Sequence, residues 1–247
     1  VPKSSNPVTT RGGASINLVL TVIVLLVAVG VIGGVLYAKG GTNNQQQPGP
    51  DQTVPAATLN PPDANTLSKS PDGKVVLTEF LDFQCPSCQQ FYQQLTKELE
   101  QKYQGRITYV TRNYPLVQAH PLSMLAAHAS EAAAAQGKYP QMYHELNDNW
   151  NTWALDSPGA QEPSSNAPRA QQLFTSYAQQ IGLDVNKFQQ DLNSPAIDAK
   201  VKKDMADGDK AGVSGTPTFF LNGKKLDFSN GVSKQSFYQQ IDQALGK

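Results

Sequence analysis

The stretch Glu79-Phe-Leu-Asp-Phe-Gln-Cys85-Pro-Ser-Cys88-Gln-Gln-Phe-Tyr holds both cysteines of this 247-residue chain. Two residues separate them, directly after an apolar run and at the start of an amphipathic one. The arrangement reads as a thiol pair at a strand-to-helix junction. The chemistry open to such a pair is thiol–disulfide exchange, in which a thiolate attacks a disulfide sulfur and a second thiol resolves the mixed product. Cys85 takes the first role and Cys88 the second.

The flanking elements must make one sulfur more acidic than the other. Residues 74–81 are short, β-branched and apolar, which predicts a buried strand. After Cys88, Phe91, Tyr92, Leu95 and Leu99 recur at a helical period. Pro86 suits the first turn of that helix, where a missing N–H costs nothing. Cys85 then lies at the helix N-terminus, where unpaired N–H groups and the dipole favour an anion. A free cysteine titrates near pKa ~8.5, so about 3% is thiolate at neutral pH. A helix terminus contributes roughly 0.3–2 kcal/mol, enough to bring Cys85 close to neutrality. Cys88, one turn on, is expected to be more buried and less ionised.

Other uses of a C-x-x-C fit less well. A structural zinc site takes four ligands, and His120, His128 and His144 show no ligand spacing. Haem attachment needs histidine after the second cysteine, where Gln89 stands. A structural disulfide would close a very short loop and stabilise little. The sequence therefore calls for no metal and no cofactor.

Three separate pieces resemble the DsbA-like branch of the thioredoxin-fold thiol–disulfide oxidoreductases. Cys85-Pro86-Ser87-Cys88 resembles that family's active-site turn. Glu79, six residues earlier in the strand, matches its buried acidic residue. Gly212-Val-Ser-Gly-Thr216-Pro217-Thr-Phe-Phe-Leu-Asn-Gly resembles its cis-proline loop, following strand and hairpin. The resemblance runs from about Lys74 to the C-terminus. It implies an α/β thioredoxin fold with a helical subdomain inserted near 118–209 and capping the site. It also implies a cis Thr216–Pro217 bond beside the thiol pair. Proline there offers no N–H and no charge, and the Thr216 backbone is left to pair with an extended substrate segment. Glu79 is expected to be buried with a raised pKa and to exchange a proton with Cys88. One departure matters. Ser87 stands where many members carry histidine, so the turn has no positive charge. A less extreme Cys85 pKa and a milder oxidant are expected.

Lys and Arg together number 20, as do Asp and Glu. With no net charge, nothing points to a nucleic-acid partner. Two cysteines rule out a disulfide-scaffold protein. Residues 1–15 read as a short polar cytoplasmic tail. Residues 16–37 carry no charge and match the ~20 residues of a transmembrane helix. A cleaved signal peptide is the rival, but its apolar core is usually ~7–15 residues and ends at a small-residue site that Leu36-Tyr-Ala-Lys does not supply. Residues 38–70, rich in Gly, Asn, Gln and Pro, read as a flexible linker. The catalytic domain is expected over 71–247.

Within that domain, residues 106–111 predict a second core strand, and helical patterns follow over 122–136, 139–153, 169–181, 185–192 and 196–205. Asp184 is the candidate N-cap of the fourth. His120, His128 and His144 fall in this block and read as surface or packing residues. Tyr139, Tyr143, Trp150 and Trp153 read as core. Residues 218–221 predict a strand, Asn222-Gly223 a hairpin turn and 225–228 the returning strand. Ser233 is the candidate N-cap of a closing helix carrying Phe237, Tyr238, Ile241 and Leu245.

These readings converge on a single-pass protein of the cell membrane with its catalytic domain outside the cytosol, where dithiols can persist as disulfides. Its expected partners are reduced exported proteins, into which it introduces disulfides, and a membrane redox partner that reoxidises it. A reductase or isomerase is the alternative within the same chemistry. A tethered, non-enzymatic binding module is the alternative outside it.

Overall fold

The computed structural model describes residues 53–227 and 233–246. The expected tail 1–15, the apolar span 16–37, the first part of the linker and Phe228 lie outside the described residues. Among the described residues no helix is long and apolar enough to cross a membrane.

The described strands form one sheet in the order β1-β3-β2-β4-β5. They are β1 Asn65–Ser68, β2 Val76–Leu81, β3 Thr108–Asn113, β4 Thr218–Leu221 and β5 Lys224–Lys225. β2 runs parallel to β3 and antiparallel to β4. Paired on both sides and covered on both faces, it reads as the apolar run seen in the sequence. A parallel neighbour needs a crossover. Here the crossover is the helix that begins at the thiol pair. α2, Pro86–Phe91, passes through a π-helical turn at Tyr92–Thr96 into α3, Lys97–Tyr103. Its stripe of Tyr92, Leu95, Leu99 and Tyr103 is buried. Leu95, Leu99 and Tyr103 pack with Leu77, Ile107, Phe219, Phe237 and Ile241.

Between β3 and β4 the chain leaves the sheet for a helical block. It comprises α4 Ser123–Ala134, α5 Tyr139–Asp148, α6 Trp150–Trp153, α7 Ala167–Gln180, α8 Val185–Leu192 and α9 Pro195–Lys210. Asp184 caps α8 by accepting the Lys187 N–H at 3.0 Å. Asn166 and Ser194 cap α7 and α9 in the same way. The helix expected over 139–153 is broken at Asn149 into α5 and α6. The core of this block, including Met142, Leu146, Trp153 and Phe174, is continuous with Phe83, Cys85, Cys88 and Tyr92. Ser233 caps α10, Lys234–Ala244, by accepting the Ser236 N–H at 3.0 Å.

Two features hold the sheet to its surroundings. Arg112 of β3 is fully buried; its guanidinium meets Asp204 at 2.9 Å and Asp207 at 2.8 Å, and donates to the Thr58 carbonyl at 2.6 Å. It ties the sheet to α9 and to the short helix α1, Ala56–Leu59. At the other edge Asn222 and Gly223 adopt φ of 48° and 86°, the geometry a two-residue hairpin requires. The Gly223 carbonyl accepts the Val54 N–H at 2.8 Å, and a Cβ on Gly223 would stand 2.5 Å from Thr53 Cγ2.

The domain boundary therefore needs correction. The linker expected to reach residue 70 has joined the domain by Val54, with α1 and β1 both inside it. Asn65-Thr-Leu-Ser68 is short and lacks apolar alternation. β3 makes it a strand by supplying an antiparallel partner, with a bulge between Thr66 and Ser68.

Candidate active site

β2 ends at Leu81, and Asp82-Phe-Gln carries the chain into α2. The Cys85 N–H donates to the Asp82 carbonyl at 3.1 Å, closing a turn. Cys85 is the N-cap residue of α2 with extended backbone (φ −67°, ψ 123°), and Pro86 occupies the first turn. Both cysteines are present as free thiols. Pro86 and Ser87 are exposed at the tip of the turn.

Whole-residue exposure does not separate the two cysteines, although Cys88 is set deeper among its neighbours, as expected. Each is 5% exposed as a whole residue. The difference lies in their surroundings. The Cys88 thiol, donating to the Cys85 sulfur, is the chief reason that the Cys85 pKa falls to about 6; burial opposes it, and the Cys88 and Ser87 backbone N–H groups and Thr216 assist. At neutral pH roughly nine-tenths of such a sulfur is thiolate. Cys88 moves the opposite way. Burial first, then the neighbouring Cys85 sulfur and Glu79, hold it protonated, although its sulfur accepts the Asp82 N–H at 3.5 Å.

The loop before β4 closes over Cys85. The Thr216–Pro217 bond is cis, as the resemblance implied. Cys85 Sγ lies 3.5 Å from the Thr216 carbonyl oxygen, to which it can donate only while protonated. Glu79, in the middle of β2, is 2% exposed. Burial raises its pKa to about 7 against a 2.6 Å hydrogen bond donated by the Tyr109 hydroxyl. Cys85, Cys88, Glu79, Thr216 and Pro217 thus occupy one neighbourhood around the C-terminal half of β2.

Four further residues shape this neighbourhood. Asp82 is 1% exposed; its carboxylate accepts the Gln84 N–H at 2.8 Å, the Leu116 N–H at 2.8 Å and the His120 Nδ1–H at 2.6 Å. Gln84 donates to the Ala154 and Ser164 carbonyls and accepts the Leu122 N–H at 2.6 Å. Tyr109 partners Glu79. His120 is the fourth, half-buried and packed against Asp82. An acid between Leu81 and Phe83 was the available signal, since a buried carboxylate needs partners. Nothing local revealed that His120 supplies one from 38 residues away. His144 meets the Tyr92 hydroxyl at 3.0 Å and Glu100 at 3.3 Å, and His128 meets Asp198 at 3.5 Å. Trp150 and Trp153 are core residues as read, and the Trp150 Nε1–H donates to the Phe83 carbonyl at 3.0 Å.

A pair of sulfurs held at such different acidities is suited to exchanging disulfides, and the sheet and the helical block around it make a thioredoxin fold with an inserted helical subdomain. The comparisons agree. Residues 70–243 match the Thioredoxin_4 family model, described as thioredoxin, and the chain belongs to that family. The fold is similar to a thioredoxin-like oxidoreductase from Silicibacter pomeroyi DSS-3 (TM-score 0.59, 26% identity, 78% of this chain and 99% of that one). It is also similar to BdbD from Bacillus subtilis (TM-score 0.63, 20% identity, 80% and 100%) and to alpha-DsbA1 from Wolbachia pipientis (TM-score 0.60, 21% identity, 75% and 92%), likenesses that concern the fold alone. Among curated relatives, Na(+)/H(+) antiporter NhaA 1 of Mycobacterium sp. (strain KMS) is 33% identical over 166 residues, 66% of this chain and 24% of that protein. The chain spans about a quarter of that relative's length.

Proposed function

We propose that this protein introduces disulfides into exported proteins, working from the outer side of the cell membrane through the Cys85–Cys88 disulfide. A client thiolate attacks Cys85 Sγ. The Cys85–Cys88 bond breaks, and Cys88 leaves and takes up a proton. Glu79, with a pKa of about 7, is close enough to neutrality to give that proton or take it back. The client's second thiolate then attacks its own sulfur in the mixed disulfide, and Cys85 leaves as a thiolate. The client has lost two electrons and two thiol protons, and the protein holds the dithiol. A membrane redox partner removes the two electrons again.

The observation that carries this reading is the placing of Cys85 at the N-terminus of α2, against Cys88 and the cis Thr216–Pro217 segment, surroundings that lower its pKa to about 6. A sulfur that is stable as a thiolate is a good leaving group, which drives the release of oxidised client. A pKa of about 6 also fits the milder oxidant expected from the uncharged Ser87. The Thr216–Pro217 segment lies beside Cys85 and presents backbone to an extended client. The residues 16–37 serve as the membrane anchor in this reading.

The test is oxidative refolding of a reduced, disulfide-requiring protein by the oxidised chain. Wild type accelerates it and Cys85→Ser does not. Acceleration that survives Cys85→Ser, or a protein that only reduces or reshuffles disulfides in a glutathione buffer, contradicts the proposal.

A further inference from the structure

In the parallel pair of β2 and β3, Leu77 stands opposite Tyr109 and Glu79 opposite Thr111. Alternation puts these four side chains on one face of the sheet. Thr111, directly across from Glu79, has its hydroxyl engaged elsewhere: it donates to the Tyr139 hydroxyl oxygen at 2.7 Å. Tyr109, two positions back, has the length to reach, and its hydroxyl donates to Glu79 Oε2 at 2.6 Å. The same hydroxyl lies 3.5 Å from Thr96 Oγ1, at the end of the π-helical turn that follows α2. Glu79, Tyr109 and Thr96 are all buried.

We propose that Tyr109 is a positioning residue for disulfide exchange: its hydroxyl donates to the Glu79 carboxylate, accepts from the Glu79 carboxylic acid, and so sets the pH at which Glu79 passes a proton to and from Cys88.

A phenolic hydroxyl suits this task because it both donates and accepts. Once Glu79 is protonated, the carboxyl donates to the hydroxyl, whose own hydrogen turns to Thr96. Both protonation states of the buried acid thus keep a partner, as a buried polar group requires. The other groups around Glu79 do not do this. α2 brings Cys88 and α3 brings Glu100, α5 brings Tyr139 and Tyr143, and β4 places Phe219 opposite. Glu100 meets His144 at 3.3 Å, an imidazole that burial holds toward its neutral form. None of these groups is a cation near neutrality, so the Tyr109 hydroxyl is what favours the Glu79 anion against burial. The step moves one proton and no electrons. Cys88 gives its proton to the Glu79 carboxylate as it attacks the mixed disulfide, and the carboxyl returns it when Cys88 is again the leaving sulfur.

This inference rests on Glu79 exchanging a proton with Cys88, and the experiment separates the two claims. The reduced full chain is mixed with excess oxidised glutathione, and resolution of the mixed disulfide at Cys85 is followed as a function of pH in wild type, Glu79→Gln and Tyr109→Phe. Tyr109→Phe removes one oxygen and keeps the ring. It should move the midpoint of the wild-type profile up by roughly 0.5–1 unit, making resolution about twofold to sixfold slower at pH 7 and nearly unchanged at pH ~9. If Glu79→Gln is slow but Tyr109→Phe keeps the wild-type profile, or loses rate equally at every pH, Tyr109 is a structural residue and the inference is wrong, while the role of Glu79 stands. If Glu79→Gln resolves at the wild-type rate throughout, both fail together. Wild type gives a second reading that needs no variant to fold. The carbon-13 resonance of Tyr109 Cζ should shift through the Glu79 titration as the hydroxyl changes from donor to acceptor, and a resonance that stays flat across it overturns the inference.

Discussion

Cys85 Sγ sits 3.5 Å from the carbonyl oxygen of Thr216, a residue 131 positions further along the chain. The contact joins the two halves of the thioredoxin fold around the whole helical block. It places the reactive sulfur at the edge of a backbone segment rather than in an open cleft. In the proposed function, a client lies along that segment as an extended strand when its sulfur reaches Cys85.

The two cysteines should behave differently when each is removed. Cys88→Ser leaves Cys85 able to attack but removes the resolving thiol, so mixed disulfides with clients should accumulate. Cys85→Ser leaves only the protonated Cys88 and should trap none. Mass spectrometry of complexes under non-reducing conditions distinguishes the outcomes, and equal trapping by both variants would reverse the assigned roles.

Glu79 makes a pH-dependent contribution of defined sign. Burial lifts its pKa from 4.5 to about 7. The folded protein thus binds more protons than the unfolded chain between those values, and stability is lost as pH rises through them. Glu79→Gln removes the effect. Relative to wild type, the variant should gain about 1–3 kcal/mol of stability between pH ~5 and pH ~8 in chemical denaturation. The same variant should slow resolution of the mixed disulfide by roughly tenfold to a hundredfold. A stability difference that does not change with pH would show that Glu79 is ionised throughout.

The dithiol protein should carry a stability term that the disulfide protein lacks. The Cys85 pKa is depressed on folding, so this term is present at high pH and disappears as pH falls through about 6. At pH 7 it amounts to about 1 kcal/mol. The stability of the reduced form relative to the oxidised form should fall by that order between pH ~7.5 and pH ~5. Denaturation of both forms across this range checks it, and parallel curves would contradict it.

Arg112 should prove costly to remove, because its guanidinium is fully buried. Truncation leaves Asp204 and Asp207 without their guanidinium at the junction of β3 and α9. Arg112→Ala should lose roughly 3–5 kcal/mol. A loss below ~1 kcal/mol would mean that Lys200 and Lys203, at 2.8 Å and 3.4 Å from these carboxylates, suffice to hold them.

What the sequence made legible was local chemistry with strong spacing. The thiol turn, Glu79 in its strand, the Asn222-Gly223 hairpin and the caps at Asp184 and Ser233 each have a pattern set by neighbouring residues. What it concealed depends on distant ones. β1 exists because β3 pairs with Asn65–Ser68, and no alternation announces it. The π-helical turn at Tyr92–Thr96 keeps the stripe facing the core without altering its apparent period. His120 looks like any histidine before a proline until Asp82 is found against it. The low whole-residue exposure of Cys85 was hidden for the same reason, because the Thr216–Pro217 loop lies against it.

Disulfide exchange at this site depends on Cys85 being ionised at neutral pH while Cys88 is not. The most direct test is the rate of alkylation of the reduced protein as a function of pH, with the modified cysteine identified by peptide mapping. Modification confined to Cys85, with an apparent pKa near 6, is the predicted result. A midpoint at the ordinary thiol value, or equal labelling of Cys88, would contradict it.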